Sequence, residues 1–150
     1  MKLYSYPAGK AIFSFKILLK SFFIKFNWKK IFLRRYNAKE IYGFNSGRNS
    51  LVFILQNLTK RDIGKDEVIV SSYTCPSVYE AIRHAGLKIV ICDIESESGR
   101  ISLAILNRLI NDKTLAIITA NSFGVIDPVI EIKKIIENKD ITLIEDVTWV

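Results

Sequence analysis

Ile141-Thr142-Leu143-Ile144-Glu145-Asp146 is an apolar, β-branched run that ends in two carboxylates. A run of this length and composition reads as a buried strand. Acidic side chains at the carboxyl end of such a strand lie where open α/β sheets bind their ligands. The chain stops four residues later. The expectation is therefore an α/β site of which only part is present.

Upstream, the same pattern repeats. Glu67-Val68-Ile69-Val70 is a strand that runs into Ser71-Ser72, and Pro76 opens a helix with Val78, Ala81, Ile82 and Ala85 on one face, closed by Gly86. Proline just inside the start and glycine just past the end are the usual helix punctuation. Lys88–Asp93 is a second strand. Ser102 is placed to cap a helix carrying Leu103, Leu106, Leu109 and Ile110. Thr114–Ala120 is a third strand, and Pro128 opens a helix with Ile132, Ile135 and Ile136 inward and Lys133 and Lys134 outward. Ahead of the first strand, Ser46 is an N-cap candidate for a helix through Leu51, Val52, Leu55 and Leu58, with Gly64 in the following turn. Continuously apolar strands separated by helices specify a mostly parallel sheet flanked by helices, three layers in all.

The net charge of +7 is uneven: residues 1–36 carry nine of the 22 Lys and Arg and none of the 15 acids. The remainder is slightly acidic, which argues against a nucleic-acid-binding body. We divide the chain into a basic apolar arm, residues 1–41, and a body, residues 42–150. Ala11 to Leu33 is densely apolar, but lysines interrupt it and its longest uncharged run is five residues. That is far short of the roughly 20 residues of a spanning helix, and no signal-peptide cleavage site follows. The readings left for the arm are packing on the body or a second subunit, and peripheral contact with an anionic membrane through lysine stems. Two cysteines, Cys75 and Cys92, and one histidine, His84, make neither a disulfide framework nor a zinc site. A reducing compartment, the cytoplasm, is expected, and no metal site.

Small and polar residues collect at four element ends. Asn45-Ser46-Gly47-Arg48-Asn49 starts a helix, where free N–H groups and the helix dipole favour an anion. Ser71-Ser72-Tyr73-Thr74-Cys75-Pro76 follows the first strand, Thr119-Ala120-Asn121-Ser122-Phe123-Gly124 the third, and Glu145-Asp146 the fourth. Cys75 lies at a helix start, where a thiol is activated, but His84 is nine residues on and no Cys–His pair is evident. The carboxylates suit a cationic ring nitrogen, a ribose hydroxyl or a metal, and spacing does not choose among them. A dinucleotide-binding reading lacks the G-x-G-x-x-G motif after the first strand.

Taken in order, these segments resemble the DegT/DnrJ/StrS family of pyridoxal-phosphate-dependent sugar aminotransferases. The resemblance rests on Asn45-Ser46-Gly47-Arg48, Lys65-Asp66-Glu67-Val68-Ile69-Val70-Ser71-Ser72-Tyr73-Thr74-Cys75-Pro76, Ala85-Gly86, Cys92-Asp93-Ile94, Leu115-Ala116-Ile117-Ile118, Ser122-Phe123-Gly124 and Ile144-Glu145-Asp146. It covers roughly residues 42–148 and not the arm. It implies an incomplete large domain of the fold-type-I pyridoxal-phosphate transferases. It also implies that Gly47, Arg48 and Asn49 cradle the cofactor phosphate, that Cys75 lies against the pyridine ring, and that Asp146 pairs with the ring nitrogen.

Three positions depart from the family pattern: Arg48 replaces a common Thr, Cys75 replaces an aromatic, and Trp149 stands where Gln is common. The lysine that holds the cofactor in that family falls beyond Val150. The resemblance thus implies the amino-terminal fragment of an aminotransferase of nucleotide-sugar metabolism and polysaccharide biosynthesis, inactive alone. Its partners would be a keto-sugar nucleotide and an amino-acid donor, commonly glutamate, in a homodimer when complete. A sugar dehydratase on the same scaffold, and a non-catalytic α/β protein acting through a partner or a membrane surface, are the other readings.

Overall fold

The computed structural model describes residues 27–122 and 124–148. The arm from Ala11 to Phe26, Phe123 and Trp149 lie outside the described residues. The chain divides into two compact units, Met1–Tyr42 and Gly43–Val150.

In the first unit, helix α1 (Trp28–Arg35) starts at Asn27, whose side chain accepts the Lys30 N–H at 3.2 Å. It ends with Asn37 at φ 46°. Asn37 and Ala38 donate back to the carbonyls of Arg34 and Leu33, at 3.5 and 3.1 Å. Asn tolerates this left-handed conformation, so it closes the helix in the way glycine usually does.

The second unit holds helix α2 (Gly47–Arg61), strand β1 (Glu67–Ser71), helix α3 (Pro76–His84), strand β2 (Lys88–Cys92), helix α4 (Leu103–Leu109), strand β3 (Thr114–Ala120), helix α5 (Val129–Ile136) and strand β4 (Thr142–Asp146). The four strands are all parallel, in the order β2-β1-β3-β4. The strands and helices read from the sequence are all present. The order explains one departure from a uniformly buried pattern. β1 and β3 are central and buried almost throughout, whereas β2 lies at an edge and leaves Ile91 exposed.

Side-chain alternation along the strands builds two cores. Val68 and Val70 of β1 face the layer of α2 and α3, packing with Leu55, Ile82 and Ile118. Ile69 faces the other way, into the layer of α4 and α5, with Ile117, Leu106 and Ile132. α3 ends as its sequence dictates. Gly86 takes φ 77°, and the N–H groups of Gly86 and Leu87 return to the carbonyls of Arg83 and Ile82 at 2.9 and 3.1 Å. Leu87 is then folded back into the core beside Ile82. Ser102 occupies the N-cap of α4 but makes no capping bond from its side chain. It is buried, and its carbonyl takes the Leu106 N–H at 2.8 Å. Among the described residues no helix is long and apolar enough to cross a membrane.

Ile82 is fully buried and Ile63 is 94% exposed. Ile82→Ala is expected to lower unfolding free energy by about 2–5 kcal/mol and Ile63→Ala by less than about 0.5 kcal/mol, in urea titrations of both variants. Equal losses would contradict this core.

Candidate functional site

The four polar segments converge on one cleft of about 440 Å³ at the carboxyl end of the sheet. That volume is within the usual range for small-molecule sites. Ser46, Gly47, Arg48 and Asn49 line it from the start of α2, Thr74, Cys75 and Ser77 from the turn after β1 and the start of α3, Ala120, Asn121 and Ser122 from the end of β3 and the residues after it, and Asp146 and Thr148 from the end of β4 and beyond. All five candidates read from the sequence (Gly47, Arg48, Asn49, Cys75 and Asp146) therefore border the same space. Of the paired carboxylates, only Asp146 does. Strand alternation turns Glu145 away, where it meets Lys133 at 3.4 Å.

At the start of α2, Ser46 is extended (φ −158°) and its hydroxyl accepts the Asn49 N–H at 3.2 Å, while its carbonyl accepts the Ser50 N–H at 3.1 Å. The Asn49 N–H is thus already used, and its side chain donates to Asn45 at 2.7 Å. The N–H groups of Gly47 and Arg48 have no acceptor among the described residues. No acid occupies the first turn of this 15-residue helix. Its positive end is left uncompensated by the protein. A Cβ at Gly47 would meet nothing within 4 Å. The helix accepts any residue there, and glycine leaves the backbone open to an approaching group. The Arg48 guanidinium is not aimed solely at the cleft, because its Nη1 pairs with Glu80 of α3 at 2.9 Å.

On the opposite side, the Asn121 N–H donates to the Asp146 carbonyl at 3.0 Å. The Asn121 side-chain oxygen accepts the Asp127 N–H at 3.2 Å. Asp127 is buried, and its two carboxylate oxygens accept the N–H groups of Ile101 at 2.8 Å and Ala120 at 3.2 Å. This carboxylate ties the end of β3 to the segment leading into α4 and so holds the opposite wall of the cleft. In the β1 turn, Ser72 donates to Asp93 at 3.0 Å, and the Tyr79 hydroxyl lies 3.1 Å from the carbonyls of both Ser71 and Ser72.

The two thiols differ sharply. Cys75 is exposed at the N-cap of α3, and the Ser77 hydroxyl donates to its Sγ at 3.1 Å. That bond, aided by the Ser77 N–H and the Arg48 charge, holds the thiol below its ordinary range against partial desolvation and the Asp146 charge. Cys92 is buried, and burial, with Asp93, Asp127 and Glu95 nearby, pushes its thiol up to about 11. Nothing pairs Cys75 with His84, which sits at the far end of α3.

Sequence reasoning missed Ser77, Asp127, Thr148 and Glu80. Ser77 and Thr148 each stand two residues after a candidate, a spacing that local side-chain hydrogen bonds favour. Glu80 faces Arg48 only through the packing of α2 on α3, which no local signal announces. No group of three or more metal-ligating side chains occurs among the described residues.

A profile described as the DegT/DnrJ/EryC1/StrS aminotransferase family matches residues 28–148. The match starts well before residue 42, where the resemblance read from the motifs begins, so it takes in α1. The chain is 28% identical over 145 residues to GDP-4-keto-6-deoxy-D-mannose 3-dehydratase of Escherichia coli O55:H7, covering 94% of this chain and 37% of that protein. It is 31% identical over 123 residues to the enzyme of the same name from Yersinia pseudotuberculosis, covering 79% and 31%. It therefore spans about a third of the length of these curated relatives. A solved structure of the E. coli dehydratase with bound hydrated PLP superimposes with a TM-score of 0.76 at 25% identity, over 95% of this chain and 40% of that one.

Iodoacetamide should alkylate Cys75 in the folded chain and spare Cys92 until the chain unfolds. The Cys75 rate should rise with pH around a midpoint below that of an ordinary thiol, since the thiolate is the nucleophile. Ser77→Ala should move that midpoint upward. Peptide mapping by mass spectrometry reads both, and equal reactivity of the two cysteines would contradict the described geometry.

Proposed function

The chain belongs to the DegT/DnrJ/EryC1/StrS aminotransferase family, and from that premise we propose that its cleft holds pyridoxal 5′-phosphate for an enzyme that acts on a keto-sugar nucleotide. The observation that carries the reading is the convergence on one cleft of two unpaired helix N–H groups, an open glycine and a carboxylate.

The residues fit the group. The N–H groups of Gly47 and Arg48, at the positive end of α2, would hold the phosphate dianion. Asn49 borders the phosphate, but its own N–H stays with Ser46. Asp146 would accept a hydrogen bond from the pyridinium nitrogen and keep it protonated, because an adjacent negative charge favours the cationic form. Cys75 would lie against the ring with a smaller, polarizable side chain than an aromatic. When bound, the cofactor supplies an electron sink for carbanion chemistry, and the protein supplies its orientation and electrostatics.

An amino-acid donor, with a keto-sugar nucleotide as acceptor, completes a transaminase reading, in a homodimer of the whole protein. The alternative reaction on the same scaffold is removal of water from the sugar. The names of the E. coli and Yersinia relatives favour it. Both readings use the cofactor cleft alike. The described lining contains no lysine, and on the transaminase reading the 150-residue chain alone binds cofactor without turnover. One buried thiol and one exposed thiol, both free, suit the cytoplasm.

The test is a fluorescence titration with pyridoxamine 5′-phosphate, which has no aldehyde to react with surface lysines. Saturable binding is expected. Gly47→Val, which fills the open space at the helix start, and Asp146→Ala should each weaken it about tenfold or more, or about 1.4 kcal/mol. Affinity untouched by both substitutions would overturn the site.

A further inference from the structure

The family reading gives Asp146 a partner but does not say what aims its carboxylate. The hydrogen bonds around it do. The Thr148 N–H donates to Asp146 Oδ1 at 3.1 Å, and the Thr148 hydroxyl donates to the same oxygen. Oδ2 has no donor among the described residues. The backbone of Asp146 is held separately, by β3 pairing along the strand and by the Asn121 N–H on its carbonyl at 3.0 Å. The main chain is therefore fixed by the sheet, and rotation about the side-chain bonds is the freedom that remains.

We propose that Thr148 is a positioning residue: by holding Oδ1 with two donors it fixes the Asp146 rotamer and reserves Oδ2 for the ring nitrogen of the cofactor. The inference rests on the cofactor reading above, but its structural half stands without it. Thr148 itself is exposed and lines the cleft. Its hydroxyl is thus free of any core-packing duty, and its position within the cleft lining suits a role there. The physical logic is that of a supporting shell. A carboxylate free to rotate spreads its two oxygens over several directions, and a bound cation must then immobilise it at an entropic cost. A carboxylate already held by one oxygen has met that cost during folding.

Thr148→Val keeps the shape and the N–H and removes only the hydroxyl, whereas Thr148→Ser keeps the hydroxyl. The Hα–Hβ couplings of Asp146, measured by NMR on the cofactor-free 150-residue chain, report its rotamer directly. A single rotamer is expected in the parent and in Thr148→Ser, with averaged couplings in Thr148→Val. Affinity for pyridoxamine 5′-phosphate should fall about threefold to tenfold in Thr148→Val and stay within twofold of the parent in Thr148→Ser. Amide spectra confirm that each variant is folded.

A single rotamer retained in Thr148→Val would overturn the proposal. So would averaged couplings with unchanged affinity, because the held rotamer would then do nothing for the cofactor. If pyridoxamine phosphate binds none of the three chains, the cofactor reading fails, and the couplings still decide whether Thr148 holds Asp146.

Discussion

Right-handed crossovers and a reversal of strand order shape everything else in this chain. From β1 the chain crosses to β2 on one side, then passes back over β1 to β3 and on to β4 on the other. Parallel crossovers are right-handed almost without exception. A change of direction at constant handedness must put the connecting helix on the opposite face. α3 accordingly packs with the Val68 and Val70 side of the sheet, and α4 and α5 with the Ile69 side. The connections leaving β1 and β3 depart to opposite faces, and a crevice is left between their carboxyl ends. Open α/β sheets bind ligands at such a switch point.

The sheet interior is too apolar to hold chemistry, so the polar groups are confined to the strand ends. α2, which precedes β1, shares a core with α3 through Leu51, Leu55 and Leu58. That packing brings its uncompensated N-terminus to the rim of the crevice. Asp127, buried between the ends of β3 and the start of α4, holds the opposite wall by accepting two backbone N–H groups. The cleft is thus a product of packing on both faces. A positive helix end and a carboxylate are presented across one space without either having to satisfy the other.

Much of this was legible in the residues. Strand and helix positions followed from apolar periodicity, Pro76 and Gly86 marked the limits of α3, and the four polar segments at element ends all reached the cleft. What could not be read was set by tertiary packing. β2 looks like the other strands in sequence, and only the strand order makes it an edge with Ile91 exposed. Ser102 has the residue type of a cap, but its burial beside Cys92 gives it other work, its carbonyl lying 3.6 Å from the Cys92 thiol. Arg48 reaches the cleft, but its pairing with Glu80 comes only from the approach of α3. Thr148 was hidden by familiarity, since a threonine two residues past a carboxylate is easily taken for an ordinary turn. The family match also starts earlier than the motifs, at Trp28, a reach that the motifs quoted from the body could not show.

The most direct measurement of the central claim is a crystal structure of this chain with pyridoxamine 5′-phosphate. The account predicts the phosphate at the N–H groups of Gly47 and Arg48, the ring beside Cys75 and its nitrogen on Asp146. A ligand seated elsewhere, or one in this cleft with its phosphate away from α2, would contradict it.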